Sequence, residues 1–303
     1  MKKRGNASLI IAHLLLLALI SLILLPGMKQ VQPPAALLAG LALMELLYLL
    51  KLRRLGRTAR FPSRIMLIVW SLLIIWELLV TKLNLLHPVL VPAPENVFYV
   101  FQSQYQALLG HALSSLELLL ISMSLGLLLG WTLGLLSGWY TGLGNVFAPI
   151  ANVLAPIPPV IFAPYIVAIM PSFRSPSAVV IILGIFFPTC LNMVGRVRAL
   201  DRQILDSARM LNVGNGAMIT KILLPYTLPG VAAGLKVTLT TSFMLLMFAE
   251  MMGATQGLGY YIVNYNTYGN YTNVIACIIV IGVIVTLLSR LVTLIQAKVI
   301  KWR

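Results

Sequence analysis

Apolar residues run along this chain in long unbroken blocks separated by short polar stretches. A helix needs about 20 such residues to cross roughly 30 Å of hydrocarbon. Eight blocks approach that length: Ser8–Leu25, Ala35–Leu50, Ile65–Thr81, Ala112–Gly138, Val146–Met170, Ser177–Gly195, Val231–Gly253 and Asn273–Leu294. The pattern predicts an all-α, polytopic membrane protein of eight transmembrane helices, an N-terminal two-helix hairpin followed by six further spans. Composition agrees. The chain is 60% hydrophobic and 10% charged, whereas a soluble domain is about half apolar and a quarter charged.

One long stretch breaks the pattern by being amphipathic, Asp201 to Pro229. Val197, Leu200, Ile204, Ala208 and Leu211 recur at helical spacing and form one apolar stripe. Arg198, Asp201, Arg202, Asp206 and Arg209 fall on the opposite side. Asn212 and Gly214 suit the left-handed backbone that ends a helix. A second amphipathic piece, Ala217–Leu224, stops before Pro225. The spacing therefore predicts helix, tight turn, helix and a proline exit over 197–229. A solvated loop has no need of two apolar faces joined by a turn; a docking element for a partner protein does. On the other side of the membrane, Asn84–His111 carries a helix-start signal, Pro92-Ala-Pro-Glu95. Val97, Phe98, Phe101, Tyr105, Leu108 and Leu109 then give an apolar face, which predicts a helix lying at headgroup depth or contacting an external partner.

The net charge of +15 would suit nucleic acid, but its placement argues for topology instead. Lys2, Lys3 and Arg4 precede the first span. Lys51, Arg53, Arg54, Arg57, Arg60 and Arg64 fill the linker after the second. Arg196, Arg198, Arg202, Arg209, Lys221 and Lys236 crowd the long loop, and Arg290, Lys298, Lys301 and Arg303 close the chain. All fall on one side if both termini are cytoplasmic; only Lys29, Lys82 and Arg174 fall opposite. The partner this implies is the lipid bilayer, with anionic lipid as a secondary one, and not nucleic acid. No small-residue cleavage site precedes Pro26, so the first span reads as a retained anchor. The basic linker divides the chain into the hairpin 1–50, the linker 51–64 and the remainder 65–303. Cys190 and Cys277 both lie within apolar spans, which argues against a disulfide framework.

Little in the chain points to catalysis. Gly230-Val-Ala-Ala-Gly234-Leu-Lys236 superficially suggests a phosphate loop, but its spacing is wrong and it opens a span. Seven acidic and three histidine residues form no metal-ligand cluster, so no metal or cofactor is expected in this chain. Gly126, Gly130, Gly134 and Gly138 make a smooth helix stripe, for close packing or for a moving gate. Pro149, Pro156, Pro158, Pro159 and Pro164 share one span, which cannot be a straight helix. Broken helices at membrane depth are tolerated where they are buried in protein or line a cavity. Pro156, Pro158 and Pro159, with Pro188 and Asn192 of the next span, are thus either pathway residues or packing kinks. Glu45, Glu77, Glu117 and Glu250 are intramembrane carboxylates, functional by default, or else groups that reach the interface or bond one another. Tyr260, Tyr261, Asn264, Tyr265, Asn266, Tyr268, Asn270 and Tyr271 crowd the last external loop, as an aromatic belt or a surface for a binding protein.

The run Asp206-Ser-Ala-Arg-Met-Leu-Asn-Val-Gly214, followed by Leu224-Pro225, resembles the "EAA" loop of permease subunits of ABC importers. Asp206 stands where that family has Glu and Asn212 where it has Gly; both substitutions keep the physics, a carboxylate and a residue tolerant of left-handed backbone. Trp76-Glu-Leu-Leu, Val91-Pro-Ala-Pro-Glu95, Pro156-Ile-Pro-Pro159, Phe187-Pro-Thr-Cys-Leu-Asn192 and Ala249-Glu-Met-Met-Gly-Ala-Thr-Gln-Gly-Leu-Gly-Tyr260 look like the taurine, alkanesulfonate and nitrate branch. The resemblance covers about Ile65 to the C-terminus. It implies a six-helix type I permease core in a bacterial inner membrane and a homodimer. It also implies two ATPase subunits that carry ATP and magnesium, and an extracytoplasmic binding protein. It implies that Arg202, Asp206, Ser207, Ala208, Arg209, Asn212, Gly214, Asn215 and Gly216 dock the ATPase. It further places Glu250, within a family motif, on the pathway. A gate carboxylate would disfavour an anionic substrate, which sets the carboxylate against the sulfonate and nitrate reading.

Two other classes stand beside this one. A stand-alone secondary transporter or channel would be expected to show an inverted repeat with broken helices in both halves, and the proline-rich break occurs once. A membrane scaffold would need no kinked, polar-lined span.

Overall fold

The structure is a computed structural model that describes residues 3–55, 60–170 and 175–299, with side chains at 8–53, 62–170 and 175–298. Lys2, Arg57, Arg174, Lys301 and Arg303 of the basic pattern lie outside the described residues. Among the described residues the regular elements are helical: α1 (Lys3–Leu24), α2 (Ala35–Leu55), α3 (Arg60–Glu77, continued by a π-helical turn Leu78–Lys82), α4 (Pro94–Ser103), α5 (Tyr105–Trp139), α6 (Thr141–Leu154), α7 (Ala163–Ile169, entered through a 3-10 turn Pro159–Phe162), α8 (Ser175–Arg198), α9 (Arg202–Met210), α10 (Asn215–Ala217), α11 (Leu224–Gly253, reached through a π-helical stretch Met218–Leu223), α12 (Leu258–Thr267) and α13 (Tyr271–Val299).

By length and hydropathy, six helical segments among the described residues can cross a membrane: Ala35–Arg53, Pro62–Lys82, Tyr105–Trp139, Ser175–Arg198, Asn215–Gly253 and Tyr271–Lys298. The pair Thr141–Leu154 and Pro159–Ile169, bent by 85°, adds a seventh if it is one broken span, and Ser8–Leu24 is apolar but shorter. The expected count of eight is not reached on these criteria. The bend falls where consecutive prolines remove helix donors, which is the physical reason that α6 cannot run straight into α7.

The chain divides into two compact units. The first comprises Met1–Leu109 with Asn264–Ile279. Its core joins Ala12, Leu16, Leu19 and Ile23 of α1 with Leu37 and Leu41 of α2, Trp70 of α3 and Phe98 of α4. The N-terminal pair thus shares one core with α3 and α4. Of the apolar face predicted for the membrane surface, Val97, Phe98 and Leu108 turn into the protein, whereas Tyr105 and Leu109 stay exposed. Phe98 is buried and lies so close to Gly40 that a Cβ there would sit 2.5 Å from its ring. Phe101 meets it edge to face at 5.6 Å. Burying aromatic area against another helix satisfies the same apolar surface that a bilayer would have covered.

The second unit comprises Gly110–Val263 with Val280–Arg303. Leu118 and Leu119 of α5, Ile181 and Ile185 of α8, Leu239, Phe243 and Leu246 of α11 and Val292 of α13 form its main core. The glycine stripe of α5 runs along α8. A Cβ would sit 3.2 Å from the Ile182 carbonyl at Gly126, 2.7 Å from that of Phe186 at Gly130 and 2.5 Å from that of Cys190 at Gly134. At Gly138 it would sit 2.6 Å from Val197 Cβ. The four-residue step on one helix is matched by a four-residue step of carbonyls on the other, so the backbones approach where any side chain would hold them apart.

Candidate functional site

The amphipathic stretch folds as two helices, with a break inside the predicted stripe. α8 ends at Arg198, and Asp201 caps α9, its Oδ1 accepting the Gln203 N–H at 2.9 Å. A carboxylate satisfies an orphan donor at that position, and the chain restarts there. The inner half of the stripe is buried: Val197, Leu200 and Ala208 pack with Leu135, Met218 and Leu223. The outer half is not covered. Ile204 is 43%, Leu211 78% and Met210 85% exposed. Arg202, Asp206, Ser207, Arg209, Asn215 and Gly216 are exposed with them, whereas Ala208 is buried. Arg209 lies 3.3 Å from Asp206 on this exposed surface. Ser207 turns its hydroxyl back to the Gln203 carbonyl at 2.7 Å.

Asn212 ends α9 at φ +49°, a left-handed residue of the kind Asn tolerates. Gly214 differs from expectation. Its φ of −64° and ψ of 155° are extended backbone that any residue adopts, and it caps α10 instead. The proline exit is also absent, since the helix runs on through Pro225 and Pro229 to Gly253. The π-helical stretch Met218–Leu223 changes the register ahead of Pro225. That proline then falls in the first turn of α11, where a missing N–H is tolerated. Trp131 of α5 braces this segment by donating its indole N–H to Thr227 at 3.1 Å.

The bent span brings three of the predicted pathway residues together. Pro156, at the elbow after α6, and Pro188 and Asn192 of α8 line one cavity of about 670 Å³. Pro158 precedes the 3-10 turn and Pro159 opens it, with Pro159 against Gly184 of α8. Asn192 also lines a second cavity of about 310 Å³, bounded by α11 through Gly230 and Thr238. Arg196 borders both cavities. The sequence pattern had read Arg196 only as a topology cation.

Glu250 lies elsewhere. Its side chain is 1% exposed and enclosed by hydrogen bonds. Ser115 of α5 donates to it, 2.7 Å from Oε1 and 2.9 Å from Oε2. The Gly259 N–H donates to Oε2 at 2.8 Å. Ser115 Oγ also accepts the Leu258 N–H at 2.8 Å, and the Gly257 N–H donates to His111 Nδ1 at 3.1 Å. Gly257 has φ +116°, and a Cβ on it would strike the Glu250 carboxyl. Together these contacts clasp the turn between α11 and α12 onto α5. Nothing in the local sequence pointed to Ser115 or His111, because their partners lie more than a hundred positions away.

The other carboxylates are also distinct in setting. Glu45 lies 3.0 Å from His13, and Glu117 is exposed. Glu77, fully buried, accepts from Thr81 at 3.2 Å and lies 3.3 Å from the Lys82 ammonium. Glu95 of α4 meets the same Thr81 hydroxyl at 3.4 Å. Burial pushes the Glu95 carboxyl up to about 7; its own backbone N–H and Lys82 oppose the rise, and the adjacent Glu77 adds to it.

The family model of the binding-protein-dependent transport system inner membrane component matches residues 126–301. A Bacillus subtilis permease named for aliphatic sulfonates transport is 27% identical over 233 residues, 76% of this chain and 83% of its own. The taurine transport system permease protein of Escherichia coli is 25% identical over 238 residues, 76% of this chain and 86% of its own. In fold, the chain is similar to one from the inward-facing MetNI methionine ABC transporter, with a TM-score of 0.58 and 18% identity over 66% of this chain and 99% of that one. The matched region holds the glycine stripe, the bent span, α9 and the Glu250 turn, and the chain belongs to the family of binding-protein-dependent transport system inner membrane components, the non-catalytic permease subunits of ABC importers.

Proposed function

We propose that two copies of this chain form the translocation pathway of an importer for a small oxyanion of the sulfonate class. An external binding protein delivers the solute, and two ATPase subunits, which carry ATP and magnesium, drive it. The observation that carries this reading is the exposed apolar face of α9. Ile204, Met210 and Leu211 lie open on a segment whose other face is buried by Val197, Ala208, Met218 and Leu223. Such a wedge, braced from behind and apolar in front, suits a groove on a partner protein.

In this reading Arg202, Asp206, Ser207, Arg209 and Asn212 surround the apolar tip and orient it in the ATPase groove, with Gly214, Asn215 and Gly216 forming the return turn. Ala208 anchors the element from beneath. Closure of the ATPases pulls α9. Because α9 shares its core with the end of α8 and the π-helical stretch that leads into α11, the pull is transmitted to the helices that line the cavities, a bistable element biased from two sites. Pro156, Pro158, Pro159, Pro188 and Asn192 border the path. Glu250 holds the α11–α12 turn and does not face the solute, which removes the conflict between a gate carboxylate and an anionic substrate. Both termini and α9 lie on the cytoplasmic side of a bacterial inner membrane, in keeping with the basic residues. The binding protein docks on the opposite side.

The test is co-purification from the native cell in mild detergent. A P-loop ATPase should accompany the chain, and Asp206→Lys and Leu211→Asp should each release it. Co-purification of the ATPase at wild-type yield with both variants would overturn the docking assignment.

A further inference from the structure

The two cavities of the second unit meet at one row of α8. Pro188, Asn192 and Arg196 stand four residues apart, about 6 Å of helix rise at each step. All three are exposed, and the opposite face of the helix is buried through Ile181, Ile185, Met193 and Val197. Asn192 and Arg196 line both cavities, the larger toward the elbow at Pro156 and the smaller toward Gly230 and Thr238 of α11. Among the described residues no acidic side chain lines either one. Arg196 makes no ion pair among the described residues. Its guanidinium lies against Gly230, where a Cβ would collide with it. Its neighbour Arg198 instead packs beside Gly144 of α6.

We propose that Arg196, with Asn192 one turn away, is the oxyanion-selecting seat of the translocation pathway. A guanidinium offers a planar fork of donors matched to two oxygens of a sulfonate or nitrate group. The Asn192 amide adds a neutral donor without a competing charge. Gly230 lets the guanidinium lie at the cavity wall, where it borders both chambers and does not fill either. An anion leaving the elbow cavity for the α11 cavity passes Arg196, the cation that lines both among the described residues. With Glu250 enclosed by Ser115 and Gly259, no carboxylate opposes it there. The seat rests on the reading of the chain as an oxyanion importer, and it names the residues that select the charge.

The complete importer, with its ATPase and binding protein in proteoliposomes, is tested for ATP-driven uptake of labelled ethanesulfonate and nitrate. Loss of a charge-assisted hydrogen bond lowers uptake about tenfold or more, so Arg196→Gln should fall by that factor, and Arg196→Lys, which keeps the charge but not the fork, should recover only part of it. Asn192→Asp places a negative charge beside an intact Arg196 and should also reduce uptake, which decides the matter if Arg196→Gln does not assemble. Wild-type uptake by an assembled Arg196→Gln complex, or by Asn192→Asp, overturns the seat while leaving the importer reading in place. Failure of the wild-type importer to take up either anion overturns the substrate reading, and the seat with it.

Discussion

Ser115 and Glu250, 135 positions apart in the chain, share a hydrogen bond of 2.7 Å inside the second unit. The serine both donates to the carboxylate and accepts the Leu258 N–H. One hydroxyl therefore fixes a buried carboxyl and a buried turn. Ser115→Ala would remove that acceptor from the Leu258 N–H and that donor from Glu250, at a cost of about 1–3 kcal/mol. The expected outcome is a lower unfolding temperature in detergent and faster proteolysis between Gly253 and Leu258. An unchanged melting curve and cleavage rate would remove the clasp.

Gly257→Ala tests the same turn from the backbone. A φ of +116° is one that L residues rarely adopt, and the added Cβ would strike the Glu250 carboxyl. Destabilisation beyond about 1 kcal/mol is expected, read as lost folded yield and a lower melting temperature. Gly142→Ala provides the contrast. Gly142 lies in α6 with nothing within 4 Å of its would-be Cβ, so alanine there should be neutral or stabilise by about 0.5–1 kcal/mol.

The glycine stripe makes a graded prediction. Alanine at Gly134 must push against the Cys190 carbonyl at 2.5 Å, whereas at Gly126 the nearest atom, Ile185 Cβ, is 3.0 Å away. Overpacking between helices costs about 1–3 kcal/mol. Gly134→Ala should therefore lower the melting temperature more than Gly126→Ala, and equal effects would contradict the close approach of α5 and α8.

Glu95 sets a pH dependence. Its carboxyl is raised from 4.5 to about 7, first by burial and further by Glu77, against its own backbone N–H and Lys82. The folded state then holds the proton more tightly than the unfolded chain does. Its contribution to stability is full below about pH 4.5 and is lost as pH rises through about 7. Melting temperatures should fall between pH 5 and pH 8, and Glu95→Gln should flatten that slope. A Glu95→Gln protein with the wild-type slope would show that other groups cause it.

Much of this architecture was legible in consecutive residues. The apolar blocks predicted membrane helices because hydrophobicity over about 20 positions is a local quantity. The bend between α6 and α7 was legible because each proline removes its own donor, wherever the helix lies. Asn212 closed α9 by local turn chemistry, whereas the break at Asp201 fell inside a stripe that read as continuous. Tertiary structure decided what those segments touch. An intramembrane carboxylate has the same sequence signature whether it lines a water-filled path or is satisfied by neighbours, and only packing brought Ser115 and Gly259 to Glu250. Phe98 would suit a headgroup layer as well as a helix groove, and Gly40 on α2 settled it. Arg196 counted along the chain as one of many basic residues, and the convergence of α8 with the elbow and α11 made it the cation at two cavities. Pro225 ended a helix by local rules, and the π-helical register ahead of it let α11 continue. In each case the deciding partner is distant in sequence or the backbone register is cooperative, and neither is written in any local pattern.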